Sequence, residues 1–391
     1  MKIVQINPVC GGSTGKIAVE ISKLLDANGI ENYIFYTSGK SDFENARRYA
    51  TDIEIKWNAL LSKIQGNYGF NSKSMTKRLI AKLEKANPDI VQLHNLHGHN
   101  VNLPMLFTYL KEKNIRVFWT FHDCWSFTGY CTHFDYVHCE KWKKRCKKCI
   151  QRKAYSWFAD HSQLLFDRKK SLFQGFKELT VITPSTWLAE LVRNSFFSEY
   201  PIEVIHNGID LETFKPTESN FRDKYNLQGK NIWLGVAMGF EERKGFAYFL
   251  EIAKRMDEDT RLVLVGVTKE QIAILPKNII GIERTANQKE LAEIYSAADI
   301  FLNCTLEDNF PTVNLEALAC GTPVVTFETG GSPECIDETC GKVVPQKDIK
   351  EMMQAAKELQ RLNVAEVCRR KAKEEYGAER CFELYLNLYK G

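Results

Sequence analysis

A chain of 391 residues exceeds what one hydrophobic core usually organises, so two domains are expected, and a net charge of +4 is too mild to name a partner by itself. Hydrophobic residues at 44% and charged residues at 26% are those of a water-soluble globular protein, and no apolar run approaches the ~20 residues needed to cross a bilayer. The start, Met1-Lys2-Ile3-Val4-Gln5-Ile6-Asn7, is too short and too soon interrupted for a signal peptide, which points to the cytoplasm, where cysteines are expected as thiols or metal ligands.

Short apolar runs alternate with helical periodicity, the pattern of an α/β fold with a parallel sheet covered on both faces. The first series predicts strands at Lys2–Asn7, Asn32–Thr37, Asp89–Leu96 and Arg116–Phe121, and a helix over Gly15–Asn28 with Ile17, Ile21, Leu24 and Leu25 on one face. A Cys-rich, basic insert follows at residues 124–153. The second series predicts strands at Ile232–Met238, Arg261–Val267, Asn278–Ile282, Asp299–Asn303 and Pro323–Phe327, with helices near Gly245–Met256, Gln288–Ala298 and Val313–Ala319. Between the series, Asn207-Gly208 flanked by apolar residues reads as an interdomain connection beside a cleft. The expected domains are therefore 1–204 and 205–374, with residues 375–391 returning to the first. A last helical stretch, Ala365–Leu388, carries Tyr376, Phe382 and Tyr385, followed by Tyr389, as the aromatics that would pack back.

Several segments carry candidate chemistry. Gly11-Gly12-Ser13-Thr14-Gly15-Lys16-Ile17 lacks the glycine spacing of a P-loop and the Ser or Thr after its lysine; what remains is either a plain strand–helix turn or one in which Gly12 and Gly15 let backbone N–H groups meet a phosphate. His122 ends a strand, where open α/β sheets place ligands, although a buried structural histidine is the alternative; His94, Asn95 and His97 end the neighbouring strand and are candidates for the acceptor side. Arg243 and Lys244 offer cations for a diphosphate, against the alternative of a solvated lysine. In Asp308-Asn309-Phe310-Pro311-Thr312 a carboxylate sits in a loop whose backbone N–H groups suit a diphosphate, and Glu316, two helical turns on, suits ribose hydroxyls; a solvated loop and surface helix is the bland alternative.

Cys131, Cys139, Cys146 and Cys149 form C-x7-C-x6-C-x2-C, which points first to a structural zinc, then to plain thiols, then to an iron–sulfur centre or disulfide, with His133 and His138 as substitute ligands. The run Lys141–Lys153 holds eight lysines and arginines and no acid. It fits an anionic membrane surface bearing a lipid-diphosphate-linked acceptor, a nucleic acid, or a solvated face with no partner.

Taken in order, the 11–15 loop, Pro184-Ser185-Thr186-Trp187-Leu188, Asn207-Gly208-Ile209-Asp210 with Phe214 and Pro216, Arg243-Lys244-Gly245 and the acidic segment resemble the bacterial retaining glycosyltransferases with two Rossmann-like domains (GT-B). Trp119–Gly129 and the four cysteines are similar to the colanic-acid and capsule branch of that family. The resemblance implies an enzyme that moves a sugar from a nucleotide-diphosphate donor to a saccharide acceptor with retention of configuration; with the basic run, it is expected in the cytoplasm, peripheral on the inner membrane face. It implies Glu316 on the ribose, Asp308 on the sugar hydroxyls, Lys244 with Gly12 and Gly15 about the diphosphate, and His122 near the reacting carbon. Relatives usually open the acidic motif with Glu; seven intervening residues before Glu316 select Asp308 over Glu307, and Gly239 stands where many members place an arginine. No catalytic metal is expected, and because an anionic membrane surface is the partner of the basic run that agrees with the rest, no nucleic acid is expected. The alternatives are an epimerase or phosphorylase of the same architecture and, in another class, a zinc-stapled nucleic-acid-binding protein.

Overall fold

The computed structural model describes residues 1–391, and both apolar series form all-parallel sheets. The first holds β1 (Lys2–Ile6), β2 (Glu31–Tyr36), β3 (Ala46–Arg48), β4 (Ile90–Leu93), β5 (Arg116–Thr120), β6 (Leu179–Thr183) and β7 (Ile202–Val204), in the order β3-β2-β1-β4-β5-β6-β7. The second holds β8 (Asn231–Val236), β9 (Thr260–Val265), β10 (Ile279–Ile282), β11 (Ile300–Asn303), β12 (Val324–Phe327) and β13 (Gly341–Val344), in the order β10-β9-β8-β11-β12-β13. In both, the strand order reverses beside the first strand, between β1 and β4 and between β8 and β11. In a doubly wound sheet that reversal parts the helices and leaves the carboxyl ends of the central strands open to a ligand.

Every strand expected from the sequence is present, with ends moved by up to three residues. Four further strands lacked a signal. β3 and β7 are three-residue edges too short to show a period, and Thr180 and Thr183 in β6 and Lys342 in β13 interrupt the apolar runs there. Central strands are buried on both faces; β4 and β11 expose nothing.

The chain divides into one unit of Met1–Ile205 with Phe382–Gly391 and another of His206–Cys381. The single helix expected over Ala365–Leu388 is two, Ala365–Tyr376 and Ala378–Lys390. Ile209 breaks it: its N–H donates to Tyr376 O at 2.7 Å, while the Ala378 N–H donates to Ile209 O at 3.0 Å, a short parallel bridge where helical bonds would run. Tyr376 accordingly packs in the second unit, near His206 and Phe310 with its hydroxyl on Glu334 O, and does not return to the first as expected. Phe382, Tyr385 and Tyr389 do belong to the first unit. There the Tyr389 hydroxyl donates to Gln92 Oε1 at 2.9 Å, and the Tyr385 hydroxyl meets Thr120 Oγ1 at 3.2 Å.

The insert is less coil-like than its composition suggests. It folds through three short 3₁₀ turns and buries Trp125, Phe127, Phe134 and Trp142. Trp142, an aromatic within the basic run, is turned inward against Phe127 and Phe134, so it presents no face to a partner. From the helix Ser162–Phe173 the buried Lys169 ammonium donates to the carbonyls of Trp125, Thr128 and Gly129 and lies 3.5 Å from the Trp125 ring centroid. Three acceptors and a π face replace its water shell.

Tyr389→Phe leaves Gln92 Oε1 without its buried donor and is expected to cost about 1–3 kcal/mol. A denaturant midpoint for the first unit unchanged from wild type would show that the returning helix is not held this way.

Candidate active site

In the second unit the loop leaving β8 ends in a 3₁₀ turn at Glu242–Lys244, and the loop leaving β11 runs from Cys304 to Pro311. They meet at the strand-order reversal. Lys244 Nζ lies 2.5 Å from Asp308 Oδ2, and both side chains are largely withdrawn from solvent. Two close backbone approaches set this contact. A Cβ on Gly245, at φ +77°, would fall 2.0 Å from Cys304 O, and one on Gly330, at φ +55°, would fall 1.9 Å from Asp308 O. The Leu306 N–H donates to Arg243 O at 2.8 Å, and the Gly331 N–H to Asp308 O at 2.9 Å.

Arg243 turns to the loop itself: its Nη1 donates to Glu307 O at 2.7 Å. In this structure it braces the segment that carries Asp308. Asn309, Phe310 and Pro311 are buried. Phe310 stacks on His206 with ring centroids 4.6 Å apart, so its side chain is a packing residue and only its backbone remains for a ligand. The helix Thr312–Ala319 begins after Pro311 with no side-chain cap, which leaves its first N–H groups for an anion. On that helix Glu316 Oε2 accepts from the Tyr295 hydroxyl at 2.9 Å. Burial, and then the Glu316 carboxylate, push the Tyr295 phenol well above its ordinary pKa, so it stays a donor and fixes the carboxylate's direction.

In the first unit the carboxyl ends of β1, β4 and β5 lie side by side. Gly12 opens the helix Gly12–Ala27. Gly15 is packed so closely that a Cβ would fall 2.5 Å from Cys10 C, which makes it a close-approach residue as well as a candidate phosphate neighbour. A chain of hydrogen bonds then fixes two rings. Gln5 Nε2 donates to Ala18 O at 2.8 Å, so Gln5 Oε1, 3.0 Å from His94 Nε2, must accept. His94 therefore carries its proton on Nε2, and its Nδ1 accepts from His122 Nε2 at 3.1 Å. Burial, and then each histidine's charged neighbours, hold His94 well below its ordinary pKa and bring His122 down to about 4, with Asp123 pulling the other way.

His97 faces a different group: its Nε2 lies 2.7 Å from Asp123 Oδ2. Burial works to raise the Asp123 carboxyl, but the His97 charge and hydrogen bond, with the Trp125 N–H, outweigh it and bring it to about 2. Asn95 takes part through its backbone, its carbonyl accepting from Asn100 Nδ2 at 3.2 Å. Gln5, Asp123, Tyr295 and Glu307 were not singled out from sequence as parts of this machinery. For Gln5 the signal was a polar side chain inside an apolar strand.

The four cysteines gather in the insert, close enough that Cys139, Cys146 and Cys149 all act on the Cys131 thiol. Cys131 and Cys149 approach to 3.8 Å, Cys146 accepts from the Gly129 N–H, and Cys139 packs at the edge of the same core. The shared hydrogen bond lowers the Cys149 thiol and raises that of Cys131.

The architecture is that of the GT-B glycosyltransferases. Sucrose-phosphate synthase of Thermosynechococcus elongatus superposes over 100% of this chain and 98% of its own with a TM-score of 0.75 at 17% identity. Anabaena HepE, solved with UDP-glucose, does so over 100% and 99% with a TM-score of 0.70 at 13% identity. Sequence profiles described as "Glycosyltransferase Family 4" and "Glycosyl transferases group 1" match residues 14–213 and 231–361. The chain belongs to glycosyltransferase family 4. It is 24% identical, over 100% of its length and 99% of the relative's, to the Escherichia coli K12 protein named "Putative colanic acid biosynthesis glycosyl transferase WcaC".

Because His122 is held neutral, folding stability depends on pH. In the unfolded chain it protonates near 6.5, in the folded one near 4, so its contribution is complete above about pH 6.5 and is lost as pH falls toward 4. The expected loss is on the order of 2 kcal/mol and is reduced in His122→Gln, as read from urea midpoints between pH 7 and 4. Equal slopes for both proteins would mean that another group carries the effect.

Proposed function

We propose that this glycosyltransferase takes its sugar from a nucleotide-diphosphate donor and passes it, with retention of configuration, to a lipid-diphosphate-linked saccharide during surface polysaccharide synthesis. The contact between Lys244 and Asp308 at the β8/β11 reversal, one turn ahead of an uncapped helix, supports this most directly. In the donor complex the ammonium exchanges Asp308 for the diphosphate, whose larger charge competes for it, and the helix N–H groups share the same anion. Asp308, released, accepts from hydroxyls of the sugar. Glu316, already oriented by Tyr295, accepts from the ribose. The Anabaena relative solved with UDP-glucose supports a nucleotide sugar as donor, and the colanic-acid relative supports a surface polysaccharide as product.

Bond making and breaking then balance without a protein base. The bond from the anomeric carbon to the diphosphate oxygen breaks on the face at which the acceptor hydroxyl attacks, the departing phosphate oxygen takes that hydroxyl's proton, and the nucleoside diphosphate leaves. Lys244 stabilises the charge that accumulates on it. In the first unit, His122, held neutral with its Nε2–H on His94, is the candidate to meet a substrate hydroxyl. No helix is long and apolar enough to cross a membrane. The basic run Lys141–Lys153 suits an anionic membrane surface carrying the acceptor.

A thermal-shift series with UDP-, GDP- and ADP-sugars is expected to pick out one donor that stabilises the protein in proportion to its occupancy. Lys244→Ala is expected to lower turnover of that donor by about two orders of magnitude. If no nucleotide sugar stabilises the protein, or if Lys244→Ala transfers at the wild-type rate, the assignment is wrong.

A further inference from the structure

The helix Asp52–Gln65 in the first unit is amphipathic the wrong way round for a water-soluble surface. Its inward face is mixed: Ile55 packs against the first unit's core, while Asn58 Oδ1 accepts from the Ser72 N–H at 2.8 Å, and the Ser62 hydroxyl meets Asn71 Nδ2 and His99 Nδ1, each at 3.2 Å. Its outward face is apolar. Ile53, Trp57, Leu60 and Ile64, spaced four, three and four residues apart on one stripe, are 81%, 58%, 39% and 40% exposed. A helix that covers a core places those residues inside, and scattered single exposures would need no explanation; a continuous stripe does.

A second apolar group continues it. The Trp157 N–H donates to Lys63 O, in the last turn of the helix, at 2.9 Å, which sets Trp157 and Phe158, 52% and 73% exposed, beside the end of the stripe. Arg152 Nη1 donates to Phe158 O at 2.9 Å and holds the turn. Cations sit on the same helix and in the run that precedes Trp157 in the chain. Lys56 and Lys63 are exposed on the helix, Lys144, Lys147 and Lys148 are exposed in the run that leads to Trp157, and the helix acids are taken up, Asp52 by Arg48 and Glu54 by Arg78. Tryptophan and aliphatic side chains on one face, with lysines on the same helix and in that run, match the boundary between anionic headgroups and acyl chains.

We infer that Ile53, Trp57, Leu60 and Ile64, with Trp157 and Phe158, form a face that inserts into the headgroup layer of an anionic bilayer. This deepens the membrane part of the proposed function: the basic run supplies attraction at a distance, and this face supplies depth and a fixed orientation of the first unit against the lipid.

The test uses the full chain, sedimented with vesicles of phosphatidylcholine alone and of phosphatidylcholine with about a third phosphatidylglycerol. Wild type is expected to pellet with the anionic vesicles and to show blue-shifted tryptophan emission. Trp57→Ser combined with Phe158→Ser, both exposed and therefore expected to keep the wild-type melting temperature, should lower the partition coefficient by about tenfold or more. Equal partitioning of the double variant overturns insertion and leaves the membrane reading with the basic run. Wild type that stays in the supernatant overturns both. Wild type that elutes as a dimer which the double variant abolishes, with no vesicle binding by either, assigns the face to a second copy of the chain. Donor stabilisation measured without lipid is independent of every arm, so the transferase reading is judged separately.

Discussion

The second unit is organised around an ammonium and a carboxylate held in contact at the point where its sheet changes direction. Two loops reach that point from neighbouring strands, and each does so only because a glycine allows another loop's carbonyl to occupy the space of a Cβ. An ion pair of this kind, mostly withdrawn from water, adds little net stability, since desolvation offsets most of the attraction. Its worth lies elsewhere. Lys244 and Asp308 are charged, oriented and partly dehydrated before any ligand arrives, so little reorganisation remains when an anion displaces the carboxylate. The neighbouring contacts serve the same end: Arg243 braces the loop through Glu307 O, and Tyr295 aims Glu316.

The first unit works with neutral groups. Its buried His94 and half-buried His122 are linked in one direction, from His122 through His94 and Gln5 to a helix carbonyl, so proton positions are settled by the scaffold. A ring fixed this way offers an acceptor to a hydroxyl and resists becoming a cation. Next to it, Asp123, in contact with the His97 ring, is the charged counterpart and stays ionised across the physiological range. Unit by unit, polar recognition and charge recognition thus sit at carboxyl ends of parallel strands, as doubly wound sheets dictate.

Much of this was legible in the residues. Long apolar runs gave the central strands, because a strand buried on both faces has no polar positions to hide it, and the motif residues Lys244, Asp308 and Glu316 fall where the strand order requires a site. What the residues could not show depended on partners distant in sequence. Phe310 reads as a loop aromatic until His206 is seen stacked on it, and Arg243 reads as a second phosphate cation until its guanidinium is seen on Glu307 O. The break at Gly377 needs Ile209, more than 160 residues earlier, to be recognised. The cysteine spacing suggests one centre, and the fold brings Cys131 and Cys149 to 3.8 Å with Cys139 and Cys146 acting on the same thiol. Helical periodicity in Asp52–Gln65 gives a stripe without saying which way it faces; burial shows that it faces out.

Lys169 ties the cysteine-bearing insert to the helix that follows it. Its ammonium closes a span of some forty residues, from Trp125 to the helix Ser162–Phe173, and all four spaced cysteines lie within that span. Closing so long a span has an entropic cost that is recovered only once the three carbonyls and the Trp125 ring are in place, so the insert and the helix settle as one unit. Until then the thiols belong to a loose chain and can pair promiscuously in any oxidising milieu.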